Sequence, residues 1–151
     1  MMKEIHKEIK DARPVKQVIV FRKDLLKGQD AIRKGKFAGQ VAHASTAALL
    51  SCFRKREADD MYCYDVEFKK GTYLDTWLNG VFTKVVVSVP DDAALRDLYN
   101  RIQTDAPEIP VALITDCGRT EFHGKPTNTC IGIGPYYADD IDRFTADLQL
   151  L

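Results

Sequence analysis

Three short stretches of the chain hold residue types able to do chemistry. In Gly35-Lys36-Phe37-Ala38-Gly39-Gln40-Val41-Ala42-His43-Ala44, the residues Lys36, Gln40 and His43 fall at i, i+4 and i+7. On a helix they share one side. Lys36 would then stand in the first turn, where a cation opposes the helix macrodipole by ~0.3–1 kcal/mol, and a bound anion would relieve that conflict. The plainer reading is that Lys36 is exposed and screened, Gln40 solvated and His43 a satisfied, half-buried histidine. The second stretch is Thr115-Asp116-Cys117-Gly118-Arg119-Thr120, directly after an apolar run. Asp116 is able to orient or deprotonate a water, and Arg119 to hold a phosphate through two hydrogen bonds. The plainer reading is a turn in which Asp116 pairs with Arg119. The third is the polar loop Gly124 to Thr129, followed by Gly132-x-Gly134-Pro135, where the glycines ease close backbone packing.

Several kinds of chemistry are excluded by pattern. Neither a G-x-S-x-G elbow nor a phosphate-binding Walker loop occurs. The four cysteines, Cys52, Cys63, Cys117 and Cys130, form no C-x-x-C pair, and three histidines add no ligand spacing, so no metal and no cofactor are expected. No apolar run approaches the ~18 residues of a membrane span. The opening residues carry charges where a signal peptide needs its apolar stretch, and a cytoplasmic location is expected. With 22 Lys and Arg against 22 Asp and Glu among 151 residues, the net charge is zero. It is unevenly spread: residues 1–56 hold 14 basic and 5 acidic residues. That basic third suits a face that meets phosphates, or a solvated surface balanced by the acidic remainder.

The elements that must carry these residues follow from periodicity. Residues 1–14 read as a charged arm, and a single domain spans 15–151. Strands are expected at 16–22, 83–89, 111–116 and 129–134, the last stopped by Pro135. Helices are expected from Lys36 to about Lys55, from Thr72 as N-cap to Asn79, over 92–104 and over 139–148. Residues 56–71 read as a helix extension or a variable loop. Helices between strands imply an α/β fold: a three-layer α/β/α sandwich on a mixed, mostly parallel four-stranded sheet with one antiparallel pair.

In this order, Lys16 to Arg22, Gly35 to Ala44, Ile114 to Thr120 and Thr129 to Pro135 resemble the type II, archaeal and eukaryotic class of peptidyl-tRNA hydrolases, over about residues 15–151. The resemblance implies a domain, often a homodimer, that hydrolyses the ester between a peptide and the terminal ribose of tRNA without a metal. Carried onto matching positions, it marks Lys36, His43, Asp116 and Thr129 as catalytic and Gln40, Arg119 and Thr120 as substrate-binding. Gly39 and Cys117 stand where alanine is usual, the loop 124–128 is altered, and residues 54–71 are longer than the family core. In this reading Asp116 holds the water, Lys36 meets the oxyanion or the 3′-terminal phosphate, and Thr129 orients water or substrate backbone. Removing Lys36 would leave stability unchanged or slightly raised. The competing readings are a non-catalytic module that binds tRNA or protein, and an enzyme acting on another small ester or amide.

Overall fold

The computed structural model describes residues 13–151, so the expected arm falls almost wholly outside the described residues. The first strand, β1 (Val15–Arg22), sets the frame, because its alternate side chains enter two separate cores. Val18 and Val20 pack with Leu95, Leu98 and Ile102 of α3 (Asp92–Asp105) and with Ile141 and Phe144 of α4 (Ala138–Thr145). Ile19 and Phe21 pack with Phe37, Val41 and Ala44 of α1 (Lys34–Leu50).

Among the described residues the main sheet is mixed and has five strands, in the order β5 (Val111–Asp116), β6 (Thr127–Tyr137), β1, β4 (Lys84–Val89), β7 (Gln149–Leu150). This corrects the expected four-stranded, mostly parallel sheet. Only β1 and β4 pair in parallel; the other three pairs are antiparallel. The helical crossovers do give β1, β4 and β5 a common direction. The reversed strand β6, however, lies between β5 and β1 and makes both of its pairings antiparallel. The two-residue β7, which carries no periodicity of its own, closes the far edge on Val87 and Ser88.

Further expectations are corrected locally. The first helix ends at Leu50 rather than near Lys55, and residues 54–65 form a hairpin of β2 (Arg54–Ala58) and β3 (Met61–Asp65). Its loop is the pair Asp59-Asp60, with Asp59 in the left-handed region at φ 55°, as tight hairpin loops require. Nor does Pro135 stop its strand: β6 runs on to Tyr137 through a cis Gly134–Pro135 bond, at a register shift against β1 where no ladder donor is needed. Thr72 does precede α2 (Tyr73–Leu78), though its hydroxyl donates to the Lys69 carbonyl instead of capping the helix. On α2 the chain's single tryptophan, Trp77, is buried, donates from Nε1 to the Thr83 carbonyl at 3.1 Å, and lies under the Lys84 ammonium.

α1 lies against β6 closely enough that Gly132 is indispensable. A Cβ there would stand 2.2 Å from the Ala44 carbonyl oxygen and 3.2 Å from the Ala48 Cβ. Gly132→Ala is therefore expected to lower stability by about 1–3 kcal/mol, read as a fall in the denaturation midpoint. An unchanged midpoint would show that the helix can lift without cost.

Candidate active site

The first turns of α1 stand over the end of β5 and the start of β6, and three elements meet there. Asp116, the last residue of β5, is the hub. Its Oδ2 accepts from Lys36 Nζ at 2.6 Å and from Gln40 Nε2 at 3.1 Å; its Oδ1 accepts from the Gly118 backbone N–H at 2.9 Å. Lys36 also donates to Thr120 Oγ1 at 3.2 Å, and the Lys36 and Asp116 side chains are only 17% and 11% exposed. Beneath them Thr129 in β6, fully buried, donates from Oγ1 to Gln40 Oε1 at 2.7 Å. That bond fixes which end of the Gln40 amide faces Asp116, so that N–H and not C=O points at the carboxylate.

The helix-start conflict that the sequence poses is thus resolved within the chain. The first turn of α1 holds no acidic side chain, and Asp116 supplies the missing negative charge from another strand. Lys36 is neither screened by solvent nor dependent on a bound anion. Because Lys36 holds Asp116, the pairing of Asp116 with Arg119 that the turn reading allowed is not formed.

The structure brings Lys36, Gln40, Asp116, Thr120 and Thr129 together, and leaves His43 and Arg119 outside that network. His43 is exposed one turn beyond Gln40, on the wall of a shallow groove beside Thr115. Arg119 is exposed and borders a separate depression of about 390 Å³ with Thr120 and His123. Three neighbouring residues were given no site role by the sequence. Gly118, at φ +80°, turns the chain so that its N–H reaches Asp116, and a Cβ there would lie 2.5–2.8 Å from the Lys125 backbone. The D-x-G spacing was its only signal. Arg33 bonds Glu121 at 3.0 Å, and among the described residues Glu121 Oε2, buried beside this loop, has no partner. Nothing in the local sequence marked either residue.

Burial pushes the Asp116 carboxyl up, but the hydrogen bonds from Lys36, Gly118 and Gln40 and the Lys36 charge outweigh it. The group is held below its ordinary value. A carboxyl whose pKa is depressed in the folded state contributes stability above its unfolded value, near 3.9, and loses it as pH falls through the lower folded value. Asp116 should accordingly stay ionised throughout the neutral range. A carbon-detected titration is expected to place its midpoint below about 3.9, with no acid limb of activity between pH 5 and 8 arising from it. A midpoint above that value would mean that burial dominates after all.

What the arrangement offers is a pre-aligned anion beside a cation. The carboxylate is fixed by three donors. The ammonium has engaged two of its three N–H groups and keeps one for a further acceptor. No serine hydroxyl takes part in this network, and the thiol that touches it, Cys130, buried under α1, donates to the Gln40 backbone carbonyl at 3.4 Å and lies 3.6 Å from Thr129 Oγ1; burial raises its pKa to about 11, which keeps it a thiol. An anion and a cation so placed at the mouth of a sheet can orient a reactant and meet a developing negative charge, which suits a hydrolase. The chain belongs to the peptidyl-tRNA hydrolase PTH2 family, whose model matches residues 15–151. A peptidyl-tRNA hydrolase of Metallosphaera sedula is 37% identical over 138 residues, covering 91% of this chain and all of that protein. One from Methanopyrus kandleri is 38% identical over 136 residues, 90% of this chain and 97% of its own. One from Sulfolobus acidocaldarius is 34% identical over 137 residues, 91% of this chain and its own full length. Among the described residues no helix is long and apolar enough to cross a membrane.

Proposed function

We propose that this chain hydrolyses the ester bond of peptidyl-tRNA, or of an N-blocked aminoacyl-tRNA, releasing peptide and free tRNA. The observation that carries the reading is the Lys36–Asp116 pair, locked from below by Gln40 and Thr129, in a chain of this family. A depressed pKa makes Asp116 a weak base, so its role is to orient the attacking water rather than to deprotonate it beforehand. Water oxygen adds to the ester carbonyl carbon, the carbonyl oxygen gains negative charge facing the remaining Lys36 N–H, and collapse expels the terminal ribose oxygen, which takes up the proton that water gives up.

Gln40 and Thr129 act as positioning residues: buried Gln40 holds Asp116 through its N–H, and buried Thr129 holds Gln40. Thr120 steadies Lys36. Arg119 and Lys125, exposed on the loop after β5, are placed to meet the phosphates of the acceptor end. His43 stands where the acyl part of the substrate would pass. The same reading takes residues 15–151 as one three-layer domain that works in the cytoplasm, with a second copy as a possible partner to be tested by sedimentation.

The test is to incubate the protein with N-acetyl-aminoacyl-tRNA and follow ester loss with and without a chelator. Turnover in both is expected, with the tRNA's own magnesium need controlled. Tight tRNA binding with no turnover would favour the non-catalytic module, and turnover indifferent to the tRNA part would favour a general esterase.

A further inference from the structure

We propose that the outer edge of β5 is the binding strand for the peptide part of the substrate, which adds to the sheet as an extended chain. This rests on the hydrolase reading above. β5 ends the strand order, and among the described residues nothing pairs with its outer edge, whereas β7 covers the opposite edge of the sheet. An unpaired edge is usually guarded by lysine, proline or a bulge facing outward. β5, Val-Ala-Leu-Ile-Thr-Asp, has no Lys, Pro or Gly, the extra residue at its register shift between Ile114 and Thr115 is Thr129 of β6 and not a residue of this edge, and its first four residues are only half-buried.

The edge is also walled. The face of α1 that delivers Gln40 to Asp116 continues through His43, Thr46, Ala47 and Leu50, and these line a depression of about 460 Å³ against Leu113, Ile114 and Thr115. A second depression, also of about 460 Å³, lies farther back, where Ser51 and Cys52 at the end of α1 face Pro110 and Val111. Both follow β5, and β5 ends at Asp116. An ester carbonyl placed at Asp116 would thus send its peptide back along this strand. At ~3.3 Å per residue the six-residue strand spans about 20 Å, room for about six extended residues and so for a whole tetrapeptide.

The chemistry selects the occupant. Neither depression is lined by Lys or Arg, which makes them poor for phosphates. An open strand edge offers main-chain donors and acceptors that any peptide sequence can match, as a substrate with an arbitrary peptide demands.

The experiment compares N-acetyl-aminoacyl-tRNA with N-acetyl-tetrapeptidyl-tRNA, on the intact protein and on Thr46→Trp and Ala47→Phe, each checked for an unchanged melting profile. The longer substrate is expected to have about tenfold higher kcat/KM, mostly through KM, and the groove-filling variants to abolish that advantage while sparing the short substrate. Thr46 is exposed, so that variant does not depend on repacking a core. Equal kcat/KM for the two substrates, or equal loss on both in the variants, would overturn the proposal, the latter result placing the nucleotide end in the groove. Should neither substrate be turned over, the hydrolase reading falls. The edge is then judged by adding free acetyl-tetrapeptide-amide and following the amide protons of residues 111–115, where shifts lost in Thr46→Trp support it and no shifts overturn it.

Discussion

Asp116→Asn is expected to cut ester hydrolysis at least about a hundredfold in a protein that still folds, the scale of misplacing the attacking group. The reason lies in the donors that surround the position. Lys36 and Gln40 donate to one carboxylate oxygen and Gly118 to the other. An amide presents an acceptor on one side only, so its NH₂ must face either the Lys36 and Gln40 donors or the Gly118 N–H. One contact turns from attraction to repulsion and the ammonium loses its counter-charge, with an expected stability loss of about 1–3 kcal/mol. Single-turnover rates on N-acetyl-aminoacyl-tRNA, alongside thermal melting, read both effects. Near wild-type turnover by the folded variant would remove Asp116 from the chemistry.

Lys36→Ala tests the other half of the pair. If Lys36 meets the developing oxyanion, its loss should lower kcat by about 10²–10³. The sequence alone argued that stability would hold or rise slightly, since a cation leaves the start of a helix. The structure reverses that sign, because removing Lys36 strands an ionised carboxylate that is 11% exposed, and a loss of about 1–3 kcal/mol is expected. Combining the two substitutions should cost less than the sum of the singles, as for any pair in direct contact. Because Asp116 already neutralises Lys36, the salt dependence of tRNA binding should stay unchanged; a slope shallower by about 0.7 would reassign Lys36 to a phosphate. Destabilisation with activity lost only in proportion to unfolding would make Lys36 structural.

What the sequence made legible follows the strength of its periodicities. β1 and α3 carry unbroken apolar patterns, and their bounds were read to within a residue or two. Lys36, Gln40 and Asp116 were picked out by type and spacing, but their mutual contacts were not, since nothing local says that β5 ends under α1. The hairpin was missed because Arg54 to Ala58 has neither an apolar stripe nor β-branched residues; pairing partners and a two-residue loop hold it. The position of β6 was missed for a different reason. Strand order is a long-range property, and a single reversed strand in the middle of a sheet leaves no mark on its own residues beyond the close-packing Gly132.

Trp77 sits on α2, at the end of β1 and β4 away from Asp116, with its ring buried and held by the Thr83 carbonyl. As the chain's single tryptophan it makes the protein its own fluorescent reporter. Its emission should shift to the red when the domain opens and stay constant when side chains around Asp116 are exchanged. Loss of chemistry and loss of fold can then be told apart by light from one indole, in the same preparation whose ester hydrolysis is being followed.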